Sequence, residues 1–304
     1  MGTLPLFDLP DPPQPRPAPA PVPTPATKSG EPTEAAALRV AEAAAHAWHT
    51  SQQYGRAEVV LGALAAFTFI APPPDQVDET TRLVASWDAP TTIEFVRDQW
   101  RRFLRSRPDL ANPASPFLLT WAGSTTLHPS EEAAAHAAVT AALHAGLLSL
   151  TTDETRRRGD LFGPALTLLK SDKAQAAQGA FYTPSALCDL MARMLRLSDA
   201  ETIHEPAVGT GGMFRAAAQA MRDQGRDPAR ATWVGVDIDP LAIACAAVNA
   251  VLWGLGPRVL LGVGDALTDD WYTRALAQRE ETIALAVEAR RARRLLDALD
   301  TLNP

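Results

Sequence analysis

Between residues 202 and 265 three short apolar runs alternate with helical patterns. Thr202 to His204, Thr232 to Val236 and Arg258 to Val263 read as buried parallel strands, and Met213 to Arg222 and Pro240 to Trp253 read as helices between them. Strand, Gly-rich turn, helix, strand, acid, helix, strand is the opening of a doubly wound α/β domain. No other part of the chain limits the choice of fold as strongly.

Three turns in this stretch carry candidate chemistry. Glu205-Pro206-Ala207-Val208-Gly209-Thr210-Gly211-Gly212 lies between a strand and a helix. Its small residues let the backbone approach a ligand closely, and the free N–H groups of the next helix favour a carboxylate. A purely structural turn would look the same. Val236-Asp237-Ile238-Asp239-Pro240 ends the second strand, where an acid can accept both ribose hydroxyls of an adenosine. Gly264-Asp265-Ala266-Leu267 follows the third strand, and Asp265 can accept a hydrogen bond from an exocyclic adenine amine. Gly209, Gly211 and Gly212 do not form GxGxxG, and no GK[ST] follows, so pyrophosphate and P-loop sites are disfavoured.

Upstream, Gly179-Ala180-Phe181-Tyr182-Thr183-Pro184 opens a helix from Ser185 to Leu195. With this element the order GAFYTP, EPAVGTGG, VGVDIDP and GDAL resembles the adenine-N6 DNA methyltransferases, especially the modification subunits of type I restriction systems. The lead-in Gly159-Asp160-Leu161-Phe162-Gly163-Pro164, followed by a helix and Lys173, resembles theirs as well, and the similarity covers about residues 155–270. The resemblance implies a Rossmann-like, S-adenosylmethionine-dependent domain. In it Phe181, Thr183 and Pro184 pack on and hydrogen-bond the cofactor, and Glu205, Gly209 and Gly211 frame its methionine moiety. Asp237 holds the ribose, Ile238 lies against adenine and Asp265 binds the adenine amine. The chain departs from the pattern at Ala180, where glutamine is common, at Glu205, where aspartate is, and at Val208, where cysteine is.

The same family carries Asn/Asp-Pro-Pro-Tyr/Phe at the end of a later strand, whose polar groups accept from the target amine and whose aromatic stacks on the flipped base. This sequence has no such motif; Asn303-Pro304 matches only its first two positions, and no catalytic residue is assigned. Trp271 to Asp300 reads instead as one long helix with Leu276, Ile283, Val287, Leu295 and Leu299 as its apolar members. It caps the domain or docks a partner. Without the motif-bearing strand the domain is partial and its first strand becomes an edge, which the N-terminal helices, the C-terminal helix or another chain must cover.

The remaining sequence divides simply. Residues 1–34 form a Pro-rich arm with no reason to pack, although Leu4, Leu6 and Phe7 make an apolar tip resembling sliding-clamp peptides without their leading glutamine. Residues 35–150 read as an all-helical domain: Glu34 to Trp48, Ala57 to Ile70, an amphipathic Thr91 to Arg105, and a helix capped by Ser130 that runs to about Leu148. Residues 151–270 hold the cofactor-binding domain and 271–304 the C-terminal helix. Formal charge is −7, which argues against tight non-specific nucleic-acid binding by the whole molecule but not against a local basic face. Arg97, Arg101, Arg102, Arg105 and Arg107, or Arg156, Arg157 and Arg158, would supply one, unless they are solvated helix faces. Cys188 and Cys245 lie in apolar surroundings, the histidines show no metal spacing, and neither signal peptide nor membrane span is visible, so a cytoplasmic protein is expected.

Three functions fit. One is an adenine-N6 DNA methyltransferase relative that binds S-adenosylmethionine and DNA and takes its catalytic strand or target recognition from a second protein. Another is a non-catalytic cofactor- or DNA-binding regulator. A methyltransferase for small molecules or proteins is disfavoured by Phe181-Tyr182-Thr183-Pro184.

Overall fold

The computed structural model describes residues 33–51, 55–123, 125–153, 155–170, 183–195, 197–198, 200–267 and 270–302. The arm with Leu4, Leu6 and Phe7, the segment holding Lys173 and Gly179 to Tyr182 with Phe181, and Asn303-Pro304 lie outside them, as does the side chain of Leu299.

The described residues of the first half are helical: α1 (Thr33–Thr50), α2 (Ala57–Thr68), α3 (Val77–Ala85), α4 (Ala89–Ser106), α5 (Ser115–Trp121), α6 (Pro129–His144) and α7 (Phe162–Leu169). Helix α2 is buried along nearly its whole surface, as expected of a helix that is apolar all round. It lies against α4, α5, α6 and α7, while α1 lies against α6 and α7. Two indoles lock this arrangement by donating to α2 carbonyls: Trp100 Nε1 to Gly62 O at 2.9 Å and Trp121 Nε1 to Val59 O at 3.2 Å. Buried indole N–H groups need such acceptors.

Helix α4 starts two residues earlier than its apolar pattern indicates. Asp88 accepts from the Thr91 N–H at 3.0 Å, and Pro90 fits the first turn because a helix start leaves that N–H unused. Ser130 is not the cap of α6. His128 is: its ring nitrogen accepts from Ser130 N, and Glu131 returns to the His128 N–H at 2.8 Å, forming a capping box. The same helix stops at His144 rather than near Leu148, because Gly146 takes a left-handed conformation and turns the chain into a short 3-10 segment, Leu147–Leu150.

The second half contains α8 (Ser185–Arg193), β1 (Thr202–Glu205), α9 (Gly212–Asp223), β2 (Thr232–Asp237), α10 (Pro240–Leu252), β3 (Val259–Val263) and α11 (Asp270–Leu302). The strands form a parallel sheet in the order β1-β2-β3, with Glu205 opposite Gly235 and Asp237 opposite Val263. Side chains alternate across it. Trp233, Val259 and Leu261 join the core shared with α9, α10 and the N-terminal helices. Val234, Val236 and Leu260 face the other way and are covered by Trp271 and Ala275 of α11.

Among the described residues β1 pairs only with β2, and Thr202 and His204 are exposed. The N-terminal helices expected as a cover do not pack extensively on β1, whose main neighbours among the described residues are β2 and α9. Helix α11 covers a face of the sheet, where Trp271 stacks on His204 at 5.9 Å, and not its edge. Further along, its apolar pattern is only partly used. Leu276 and Ile283 are half-buried, whereas Val287 and Leu295 are exposed.

Candidate cofactor site

In a parallel sheet every strand ends on the same side, so the turns after β1, β2 and β3 converge. The turn after β1 begins with Glu205, whose carboxylate accepts from the Ala207 N–H at 3.3 Å. The chain then crosses towards β2, with Val208 N donating to Val236 O at 2.9 Å. Gly209 (φ 53°) and Gly211 (φ 96°) take left-handed conformations that disfavour a side chain. At Gly211 space is also short: a Cβ there would sit 2.9 Å from the Trp253 ring. At Gly209 it would meet nothing within 4 Å, which leaves the outer side of the turn open.

Asp237 ties these turns together. One carboxylate oxygen accepts from the Gly209 N–H at 2.8 Å and the other from the Asp239 N–H at 2.9 Å. Its backbone carbonyl accepts from Gly264 N at 2.9 Å, which brings the GDAL turn alongside. An ionised carboxylate has about four acceptor positions, so two bound N–H groups leave capacity for further donors. Ile238, next in sequence, is 56% exposed, an apolar side chain presented beside an acid. Asp265 is exposed and accepts from the Leu267 N–H at 2.9 Å, fixing the third turn.

Thr183 and Pro184 are exposed at the start of α8. Pro184 occupies the cap position, and Cys188 one turn on directs its thiol at Thr183 O. That thiol lies 3.8 Å from where a Cβ on Gly212 would be, so α8 begins beside the exit of the glycine turn. The structure thus brings Glu205, Gly209, Gly211, Asp237, Ile238 and Asp265 to one end of the sheet. Thr183 and Pro184 flank them, and Phe181 lies outside the described residues.

Burial decides the electrostatics. The Glu205 carboxyl is pushed above the usual glutamate value by desolvation, partly opposed by the Ala207 N–H and by His204. Burial likewise raises the Cys188 thiol, and raises that of Cys245, inside α10, far above its ordinary value. Among the described residues no cluster of His, Cys, Asp and Glu is arranged to hold a metal ion.

A buried polar network behind the glycine turn supports it from distant parts of the sequence. Asp160 accepts from Gly163 N at 3.0 Å, from Thr210 Oγ1 at 3.3 Å and from Asn249 Nδ2 at 3.3 Å. Asn249, 1% exposed, also donates to Thr210 O at 2.9 Å. Lys170, at the end of α7, pairs with Asp239, whose other oxygen caps α10 through Leu241 N. Arg215 of α9 bonds Asp189 of α8 at 2.8 Å and Arg158 O at 3.3 Å. Of these, the sequence motifs contained Asp160, Thr210 and Asp239, and Arg158 lay in a basic cluster, but none was assigned a supporting role. A lone Asn within an apolar helix was the other available signal.

Residues 157–286 match the protein family described as N-6 DNA Methylase. Over 94 residues the chain is 32% identical to the type I restriction enzyme MjaIX methylase subunit of Methanocaldococcus jannaschii, a stretch covering 31% of this chain and 15% of that subunit. The chain therefore spans only a small part of the length of this relative. The family match overlaps most of the segment, about residues 155–270, whose motifs carried the resemblance.

Proposed function

We propose, from the relation of residues 157–286 to the N-6 DNA methylases, that the chain binds S-adenosylmethionine at the strand ends of a partial Rossmann-like domain and serves adenine methylation of DNA. The observation that carries this reading is Asp237, a carboxylate pinned between two turns with acceptor capacity left over.

The residues present fit the cofactor. Asp237 holds the ribose hydroxyls and Ile238 supplies an apolar surface for adenine. Asp265 takes the adenine amine. Glu205 lies at the end meant for the methionine moiety, where a desolvated carboxylate favours a cationic group. The open outer side of Gly209 admits the ligand against backbone. Thr183 and Pro184 close the site from the α8 side, and by the family resemblance Phe181 packs on the cofactor. When bound, the cofactor supplies an electrophilic methyl group. The chain's own part is to orient it and keep its charged end desolvated.

Residues 1–304 contain no Asn/Asp-Pro-Pro-aromatic motif, and among the described residues no strand pairs with the outer edge of β1, beside the site. In this reading the groups that accept from the target amine come from a second polypeptide segment outside residues 1–304. The division into a Pro-rich arm, a helical domain to about residue 150, a cofactor domain to about 270 and a terminal helix belongs to the same proposal, as does a cytoplasmic setting. Among the described residues no helix is long and apolar enough to cross a membrane.

Calorimetric titration with S-adenosylmethionine tests the site. Asp237→Ala removes an acceptor worth about 1.5–3 kcal/mol, the range for hydrogen bonds to charged groups, so affinity should fall tenfold or more. Equal affinity in the folded variant would refute the ribose assignment.

A further inference from the structure

We infer that α4 and α11 together form an arginine ridge that binds the phosphate backbone of nucleic acid, at the opposite end of the sheet from the proposed cofactor site. The two helices are far apart in sequence and meet where Arg290 Nη2 donates to the carbonyl oxygen of Arg105 at 2.5 Å. Arg101 lies one turn before Arg105, and Arg293 and Arg294 lie one turn after Arg290. All five side chains are exposed, and none makes an ion pair among the described residues. Neighbouring arginines do find acids: Arg102 pairs with Asp98 and Arg291 with Glu288. The five left over are a concentration of uncompensated positive charge on a chain whose formal charge is −7.

Like charges held close together cost free energy unless an anion is shared between them. Arginine forks match phosphate oxygens two at a time, and successive residues on one helix face recur every ~6 Å, four residues at about 1.5 Å each. A nucleic-acid strand offers phosphates at a regular interval of about 3.4 Å of rise apiece, so every second one recurs at about 7 Å, close to the arginine spacing. An acidic protein offers carboxylates without that repeat, so nucleic acid is the better complement.

The ridge is separate from the cofactor site. Helix α11 starts beside the GDAL turn, where a Cβ on Gly264 would touch Trp271, and runs back along β3, so that Arg279 bonds Pro257 O before the strand begins. From Trp271 to Arg290 is roughly 28 Å of helix at 1.5 Å per residue. Phosphates on the ridge therefore anchor nucleic acid away from the site of methyl donation. The inference rests on charge and geometry alone and does not depend on the cofactor reading.

Fluorescence anisotropy of the full chain with a labelled mixed-sequence duplex tests it. Affinity should fall about 100-fold or more between roughly 50 and 200 mM salt, because each neutralised phosphate adds about −0.9 to the log–log slope. The double variant Arg293→Ala/Arg294→Ala should lower the magnitude of that slope by about 2. Arg101→Ala/Arg105→Ala should act similarly, and both should leave S-adenosylmethionine affinity as in the parent chain. No duplex binding at low salt, or variants with unchanged slope, would overturn the ridge. Tighter binding of polyglutamate than of duplex would also overturn it, in favour of an acidic protein. Asp237→Ala should leave duplex binding intact, so failure of the cofactor reading and failure of the ridge are told apart.

Discussion

The carboxylate of Asp237 accepts the backbone N–H of Gly209 at 2.8 Å, so the acid that ends β2 holds the turn that leaves β1. Asp237 is then a structural brace as well as a proposed ribose acceptor. Asp237→Asn keeps the shape but turns one acceptor oxygen into a donor facing another donor. It should cost about 1–3 kcal/mol in urea unfolding, the range for an unsatisfied buried or half-buried partner. An unchanged midpoint would mean that the Gly209 contact contributes no stability.

Asn249 should matter for a different reason. It is buried and donates both to Asp160 and to Thr210 O. Asn249→Leu fits the apolar surroundings of α10 but strips an acceptor carboxylate and a carbonyl of their donor, with an expected loss of about 1–3 kcal/mol. Combining it with Thr210→Val, which removes a second donor to Asp160, should cost less than the sum of the two single losses, since both act on one carboxylate. Strict additivity by urea denaturation would show that the network is not a unit.

Glu205 predicts a pH dependence. Burial raises its folded-state value above that of the unfolded chain, so the folded chain holds this proton more tightly. Its contribution to stability is then most favourable below the ordinary glutamate range and declines as pH rises through the raised value. Glu205→Gln should flatten that part of the melting-temperature profile and be no less stable near neutrality. Binding of a cationic ligand should run the other way, weakening as pH falls through the same value. A parent profile that matches the Gln variant would contradict the burial argument.

Trp271 is the main bond between α11 and the sheet, with its ring stacked on His204 and beside Gly262. Trp271→Ala should destabilise by about 3–5 kcal/mol, as for other large buried aromatics. Thermal melting followed by circular dichroism would report it, and a loss below about 1 kcal/mol would mean that α11 is held elsewhere.

Methyl transfer tests the division of labour. The adenine amine is a weak nucleophile and needs acceptors that strengthen as charge develops on nitrogen. Incubated with radiolabelled S-adenosylmethionine and mixed-sequence duplex, residues 1–304 alone should transfer no label to adenine. Transfer would place an acceptor within the chain and end the proposal of an external strand.

The second and third strands were legible as buried apolar runs: Thr232 to Val236 falls within Thr232–Asp237, and Pro240 to Trp253 overshoots its helix by one residue. The first strand, also read as buried, has Thr202 and His204 exposed, because it pairs on one side only among the described residues. Helix starts were less legible. His128 is an uncommon cap, and Pro129 and Glu131 were the stronger signs of it. The position of the three turns at the strand ends followed from the alternating pattern, but the supports behind them did not. Asp160 and Thr210 are separated by 50 residues, and Arg105 meets Arg290 across 185. Such contacts depend on how whole helices pack, which local patterns do not encode.

That no strand covers the outer edge of β1 among the described residues has a colloidal consequence. A strand with unpaired N–H and C=O groups is a template on which other chains can stack. Here the template is four residues long, Thr202–Glu205, with a histidine and an acid among them. A short edge offers an intruding strand few bonds, and an ionised Glu205 at its end disfavours the approach of another strand. The chain should therefore stay dispersed while Glu205 is ionised and become sticky as it takes up its proton.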